Sequence, residues 1–348
     1  MERLTLLIFS RNDIDQLLGL IKDMYDVADQ IVVIDSSNEK HLDKLKHEIG
    51  EVDSKGKVVI RWVVALGYSE PVRMWALKFC KTEWIVLLDT DERLNGALKA
   101  DIKSIVSDAK CDAFAIKRYE EVKNGVRQSD FFTWQIRLFR KSKILFRGML
   151  HEQPLVNGIL EKMHSEYYIE HRIELMHHEV NEYSRISKIF DRLSYGTYND
   201  ILLDYISKLI MPKDREIKDS ITGKIIYALL RAYEAITLRR QEQELSNFDY
   251  FMFSFVRNAV FGLKMTGVRS IPGAWKGAKW YTNQIRQWKG EPDSKELFEI
   301  SKIVNKEGII RYLNLDKDET IERLNEKYKN EKQGIELLIR LLKERYNS

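Results

Sequence analysis

Short apolar, β-branched runs recur along the first ninety residues, starting near Leu4 (LTLLIF), Gln30 (QIVVID), Lys57 (KVVIRWVV) and Trp84 (WIVLLD), about 27 residues apart. That spacing is the length of a βαβ unit, and runs with little alternation suit strands covered on both faces. Between the first two runs, Leu17, Leu18, Ile21, Met24, Tyr25 and Ala28 fall on one face of a helix. Between the third and fourth, Ser69 and Pro71 open a segment in which Val72, Trp75, Ala76 and Phe79 repeat the helical pattern. The pattern predicts an open α/β sheet of four parallel strands with crossover helices, its ligand crevice lying beyond the strand C-termini.

After Asp89 the rhythm changes. A helix over Gly96 to Val106, a strand over Asp112 to Tyr119 and an alternating run over Phe131 to Phe139 predict a mixed extension of the sheet. From about Asn181 the chain reads as helical: Asn181 to Ile210, Asp214 to Ser246, an aromatic region over Tyr250 to Gly290, then two charged helices. The expected boundary is near residue 180, with an α/β domain over 1–180 and a helical region over 181–348. Only 17 glycines and 5 prolines occur in 348 residues, which fits a helix-rich chain with few linkers.

The net charge of +4 argues against a nucleic-acid binder on bulk charge, so any basic surface must be local. The two cysteines, Cys80 and Cys111, have no disulfide or zinc spacing, which points to a reducing cytoplasm. A bilayer span needs ~20 mostly apolar residues. The longest stretch here without Asp, Glu, Lys or Arg is eight residues, so no spanning helix is expected. Leu4 to Phe9 is too short for a signal sequence and reads as a first strand.

The first strand is followed by Ser10-Arg11-Asn12-Asp13, not by a glycine-rich loop, so the dinucleotide fingerprint and the P-loop are missing, as is the GxSxG elbow. The chemistry concentrates instead at Asp89-Thr90-Asp91-Glu92, where the most apolar strand ends. Residues i and i+2 of a strand point the same way, so Asp89 and Asp91 would project together into the crevice. Two such carboxylates suit Mg²⁺ or Mn²⁺ bridging a diphosphate. A polar turn with a helix cap is the competing reading.

These stretches resemble the family 2 glycosyltransferases, which have a GT-A nucleotide-sugar-binding fold with a mixed central sheet. The matching residues are Ser10-Arg11-Asn12, the run Val32 to Ser37, Arg73 with Ala76-Leu77, and Trp84 to Leu94. Arg137-Leu138-Phe139-Arg140, Phe146-Arg147-Gly148 and His151-Glu152 are similar to the acceptor side of the branch containing lipopolysaccharide-core glucosyltransferases, with polyprenyl-phosphate glycosyltransferases a related branch. The resemblance covers roughly residues 1–180. It implies that Asp35 and its neighbours hold the nucleoside, that Arg73 neutralises the diphosphate, that Asp91 ligates the metal and that Asp89 helps through ribose or metal. Asp35 is followed by Ser-Ser, which leaves the base open among UDP-, GDP- and dTDP-sugars.

Glu152 sits where the family places the residue that activates the acceptor hydroxyl, with His151 as an orienting or alternative group. An ion pair of Glu152 with Arg137, Arg140 or Arg147 is the structural alternative. With a phosphate acceptor no base would be needed, and the three arginines would bind that phosphate. Five of seven histidines lie between residues 151 and 178. In the resembling branch a histidine near here can complete the metal site, and His178 is the candidate, a hydrogen-bonded surface pair with His177 being the alternative.

Residues 250–290 hold seven basic residues, none of the chain's 53 acidic ones, and nine aromatics, including Trp275, Trp280 and Trp288. Cations interleaved with Trp and Phe suit an anionic membrane surface, where rings sit at the apolar boundary. A buried aromatic core is the alternative. The combined expectation is a metal-dependent inverting glycosyltransferase, peripheral on the cytoplasmic face of the membrane, with a lipid-linked acceptor (polyprenyl phosphate or glycolipid) and no nucleic-acid partner. A soluble transferase acting on a protein or small molecule is the rival.

Overall fold

A computed structural model describes residues 2–130, 132–148, 152–172, 255, 272–276, 278–279, 308–328 and 331–346. Strands β1 (Leu4–Ser10), β2 (Gln30–Asp35), β3 (Val58–Trp62) and β4 (Trp84–Asp89) are parallel, in the order β3-β2-β1-β4. They are the four apolar runs of the sequence. Their crossovers are α1 (Ile14–Met24), α2 (Glu39–Val52) and the short α3 (Arg73–Ala76), which is flanked by 3-10 turns over Glu70–Val72 and Leu77–Phe79. The helix opened by Ser69 and Pro71 is thus broken into three pieces.

The remaining strands are β5 (Glu92–Leu94), β6 (Ala113–Lys123), β7 (Val126–Arg127), β8 (Phe132–Arg140), β9 (Ile144–Leu145), β10 (Leu155–Val156), β11 (Leu160–Lys162) and β12 (Tyr168–Arg172); α4 (Gly96–Asp108) separates β5 from β6. β8 joins β4 antiparallel, β6 joins β8 antiparallel, β12 joins β6 parallel, and β5 closes the path antiparallel to β12. The mixed α/β fold is therefore the one expected. Only Thr90 and Asp91 separate β4 from β5, yet β5 is the far end of the path, so the extension curls back beside β4. One apolar layer, including Leu6, Ile8, Val33, Val86 and Leu88 from the strands and Leu17, Ile21, Leu98 and Ile102 from α1 and α4, fills this face of the sheet.

The chain separates into two units, Met1–Ser187 with Glu307–Ser348, and Lys188–Lys306. In the first, a helical stretch over 308–313, α5 (Asp318–Lys327) and α6 (Glu331–Tyr346) return to the sheet-bearing half. Asn325 on α5 bonds the strand β3 and its continuation: Val64 N–H donates to its Oδ1 at 2.9 Å and its Nδ2 donates to the Trp62 carbonyl at 3.2 Å. α6 approaches so closely at Gly334 that a Cβ there would lie 2.2 Å from the Ala65 carbonyl oxygen. Of the second unit, residues 272–276 are helical; Trp275, Lys276 and Lys279 are exposed while Ala274 and Ala278 are buried. Among the described residues no helix is long and apolar enough to cross a membrane.

Candidate active site

The C-terminal ends of β1, β2 and β4 lie side by side, with Ser10 in register with Asp35 and Phe9 with Asp89. Asp35 is fully buried and its carboxylate is satisfied within the protein, accepting the Ser37 N–H at 3.0 Å and the Ser37 hydroxyl at 2.9 Å. Burial raises its pKa, against the pull of those bonds. Ser37 Oγ in turn accepts the Asn12 N–H at 2.7 Å, and Asn12 is held in the left-handed region, φ 55°. Asp35 thus orders the turn beneath Asn12. Asp13 ties the same loop to β4, accepting the Ser10 hydroxyl at 2.7 Å and the Thr90 hydroxyl.

Asp89 and Asp91 are arranged by a buried charge network. Arg137 donates to Asp89 Oδ2 at 2.6 Å and to Glu92 Oε1 at 2.8 Å; Arg118 donates to the same Glu92 oxygen at 2.9 Å and to Glu120 at 2.7 Å. Glu92, with no exposure, accepts the Asp89 N–H through its other oxygen at 3.1 Å. Burial alone would raise both carboxylates. Arg137, Arg73 and Arg118 outweigh it at Asp89 and hold that carboxyl well below the usual range, whereas Glu92, which also faces Asp89 and Asp91, stays raised. Asp91 has a different partner, with His171 Nε2 3.3 Å from its Oδ2. Burial lowers the His171 pKa, but the bond and charge of Asp91 outweigh it, so the net shift is upward.

Glu152 is 4% exposed and accepts two backbone N–H groups, from Arg147 at 2.9 Å and from Gly148 at 2.9 Å. Burial raises its pKa to about 7, opposed by those two bonds and by Arg73, with Glu70 adding to the rise. The charge of Arg73 lowers both Asp89 and Glu152. Its guanidinium is packed over the Phe9 and Phe146 rings, at 5.9 and 5.4 Å, and is 3.4 Å from Glu70. Three buried polar atoms in these elements, Asn12 Oδ1, Arg73 Nε and Arg137 Nε, have no hydrogen-bond partner among the described residues. Unsatisfied buried groups are rare and costly.

No protein-family model matches the chain. It is similar to an uncharacterized glycosyltransferase of Rickettsia bellii, 24% identical over 156 residues that cover 43% of this chain and 50% of the relative. A second uncharacterized glycosyltransferase, from Rickettsia felis, is 23% identical over 115 residues, 33% of this chain and 38% of the relative. The chain spans half or less of the length of these curated relatives. Both relatives are named as glycosyltransferases. Among solved structures, S. aureus TarS 1–349 in complex with UDP-GlcNAc is similar over 80% of this chain and 92% of that one, at 13% identity and a TM-score of 0.44. HddC from Yersinia pseudotuberculosis is similar over 49% of this chain and 92% of that one, at 12% identity and a TM-score of 0.34.

Of the residues singled out from the sequence, Asp35, Arg73, Asp89, Asp91, Arg137 and Glu152 belong to these strand ends and the loops beside them. Arg137 is consumed by Asp89 and Glu92 rather than pointing to an acceptor. Arg140 stands elsewhere: it is in register with Trp84 at the start of β4, stacks on that ring at 4.6 Å and faces Glu2, five residues of strand away from Asp89. At about 3.3 Å per residue, that distance removes it from the crevice. None of the expected arginine side chains pairs with Glu152; the backbone of Arg147 does. His151 and His178 lie outside the described residues. His171, Glu92, Arg118 and Glu120 were not singled out, although the i, i+2 spacing of Arg118 and Glu120 on β6 and the position of Glu92 right after Asp91 were visible. The two thiols are buried and pushed up, Cys80 to about 12 and Cys111 to about 11, which excludes either as a nucleophile.

Proposed function

We propose that the chain is a metal-dependent inverting glycosyltransferase that takes a sugar from a UDP-, GDP- or dTDP-sugar. The observation that carries this reading is the carboxylate pair Asp89 and Asp91 at the end of a parallel strand, Asp89 held by Arg137 at 2.6 Å, together with the buried Glu152 held by two backbone N–H groups. The unpartnered Nε of Arg73 and of Arg137 are donors suited to a diphosphate, and Asn12 Oδ1 is an acceptor suited to an N–H or O–H of the nucleoside.

Mg²⁺ or Mn²⁺ fits here, since these ions use one or two carboxylates plus substrate phosphates, and Asp89 and Asp91 supply hard oxygens. Among the described residues no three His, Cys, Asp or Glu side chains converge as a ready cage, which matches a cation completed by its substrate. When bound, the cation would supply charge neutralisation for the departing nucleoside diphosphate. Arg73 adds to that neutralisation. Glu152 takes the proton of the acceptor hydroxyl; the acceptor oxygen bonds the anomeric carbon as the bond from that carbon to the diphosphate oxygen breaks, and the electron pair leaves with the diphosphate. A pKa near 7 suits a base working near neutrality.

For the acceptor we propose a lipid-linked one, polyprenyl phosphate or glycolipid, met at the cytoplasmic membrane face by the cationic, aromatic stretch of residues 250–290. The exposed Trp275, Lys276 and Lys279 support that reading. A thermal-shift screen of UDP-, GDP- and dTDP-sugars with and without Mn²⁺ tests the donor half. A donor at ~100 times its Kd should stabilise the protein by ~2.7 kcal/mol. No shift with any of them would refute the donor assignment.

A further inference from the structure

The turn that presents two N–H groups to Glu152 is itself gripped from the far end of the chain. Gly148 lies in the left-handed region, φ 84°, and a Cβ on it would come within 3.0 Å of Ile310 Cγ1 and 3.2 Å of Pro71 Cα. Its carbonyl accepts the Tyr68 hydroxyl at 3.3 Å. Arg147 O accepts the Ile310 N–H at 3.2 Å. Gly308, φ 78°, sits against the same residue: a Cβ there would be 2.6 Å from Arg147 Cβ and 2.7 Å from Arg147 O.

The peptide group joining Arg147 to Gly148 therefore carries both contacts. Its oxygen takes the Ile310 N–H, and its nitrogen gives a proton to Glu152 Oε1. A peptide unit is planar and stiff, so displacing the oxygen turns the N–H with it. Each bond also polarises the other through the shared amide. Ile309 and Ile310 are almost fully buried, which fixes the grip by packing as well as by hydrogen bonding.

We propose that Gly308 and Ile310 are positioning residues for Glu152, and that the returning C-terminal segment sets the geometry of the acceptor-side carboxylate. The functional half of this rests on the glycosyltransferase reading above. The structural half does not. The segment sits more than 150 positions downstream of Glu152 in sequence, so acceptor activation depends on a part of the chain that supplies no reacting group.

The test compares Gly308→Ala with Gly56→Ala in the full chain. Gly56 is also left-handed, φ 63°, but a Cβ there meets nothing within 4 Å, so it matches the backbone strain without the collision. Ile310→Ala, which keeps the backbone bond but removes the packing, is the second variant should Gly308→Ala fold poorly. The first readout is hydrogen exchange of peptides covering residues 146–148. Gly308→Ala should exchange at least ~10-fold faster there while Gly56→Ala does not, because exchange reports local opening. The second readout is nucleoside diphosphate release from UDP-, GDP- and dTDP-sugars with water as acceptor; with the donor that wild type hydrolyses, Gly308→Ala should lower kcat by ~10-fold or more and leave the donor KM within ~2-fold, the split expected of an interaction that matters in the transition state. Unchanged exchange at 146–148 would overturn the grip. Faster exchange with a wild-type kcat would overturn its role in positioning Glu152. Should wild type release no nucleoside diphosphate from any of these donors while Gly308→Ala exchanges faster, the donor assignment fails and the grip stands.

Discussion

The two carboxylate centres, at Asp89 and at Glu152, are built on opposite plans. Asp89 belongs to a chain of alternating charges, Asp89-Arg137-Glu92-Arg118-Glu120, whose side chains satisfy one another. Glu152 has no ion pair among the described residues; two backbone amides hold it in a buried position. The consequence is electrostatic: the first is held as an anion at any working pH, while the second changes charge near neutrality. Side-chain cations fix a permanent charge, whereas amide dipoles in an apolar pocket orient a carboxylate without forbidding its proton. On the proposed reading, that division suits a donor side that balances a diphosphate and an acceptor side that accepts a proton.

The comparison breaks most severely at Asp91. Asp91→Ala should leave the fold intact and bring turnover below detection, as should excess EDTA on wild type, measured as nucleoside diphosphate release; full turnover in EDTA would remove the cation from the scheme. Next comes Glu152→Gln, expected to lower transfer to a hydroxyl acceptor by ~10²- to 10⁴-fold with donor binding retained. A near-wild-type rate would mean that the acceptor is a phosphate. Arg137→Met should destabilise by about 2–3 kcal/mol in chemical denaturation, since it removes a charged hydrogen bond from fully buried Glu92, which keeps Arg118, and the ion pair of the partly exposed Asp89. A loss under 1 kcal/mol would show the network to be dispensable.

A subtler contrast lies in the pH profile. A base must be ionised to act, so kcat/KM should fall as pH drops through about 7, the value to which burial lifts Glu152, while Asp89 contributes no limb in that range. A profile flat from pH 5 to 8 would dissociate Glu152 from proton transfer. The smallest expected effect concerns the membrane. Wild type should co-float with anionic vesicles more than a variant with Lys276, Lys279, Arg286 and Lys289 as Gln and Trp275, Trp280 and Trp288 as Ala. Each cation near such a surface is worth ~1 kcal/mol. Equal flotation would favour the soluble-acceptor rival.

Legibility in the sequence followed the range of the interaction. The parallel strands and the Asp89-Thr90-Asp91 end were readable because each is written in one short run whose burial pattern repeats. Arg140 was misplaced because proximity in sequence to Arg137 hides which end of β8 it occupies; the three-residue offset along an antiparallel strand carries it to the opposite end of β4. His171 went unnoticed among five neighbouring histidines, since only the pairing of β12 with β5 brings it to Asp91. The grip of Gly308 on Arg147 leaves no local mark beyond a glycine. Glu152 was readable as a candidate, but not the way it is held, because backbone amides have no residue type.

Asn325 has a further consequence. The outer edge of β3 ends in amide and carbonyl groups that any extended peptide could pair with, and an open edge of this kind is a template for self-association. The Asn325 carboxamide, carrying one donor and one acceptor, occupies two of those groups as a strand of another molecule would. Asn325 thus covers part of the edge of β3. A version of the chain trimmed to its α/β half would be expected to gather into oligomers through that edge, and a charged or proline substitution on β3 would be needed to keep it monodisperse.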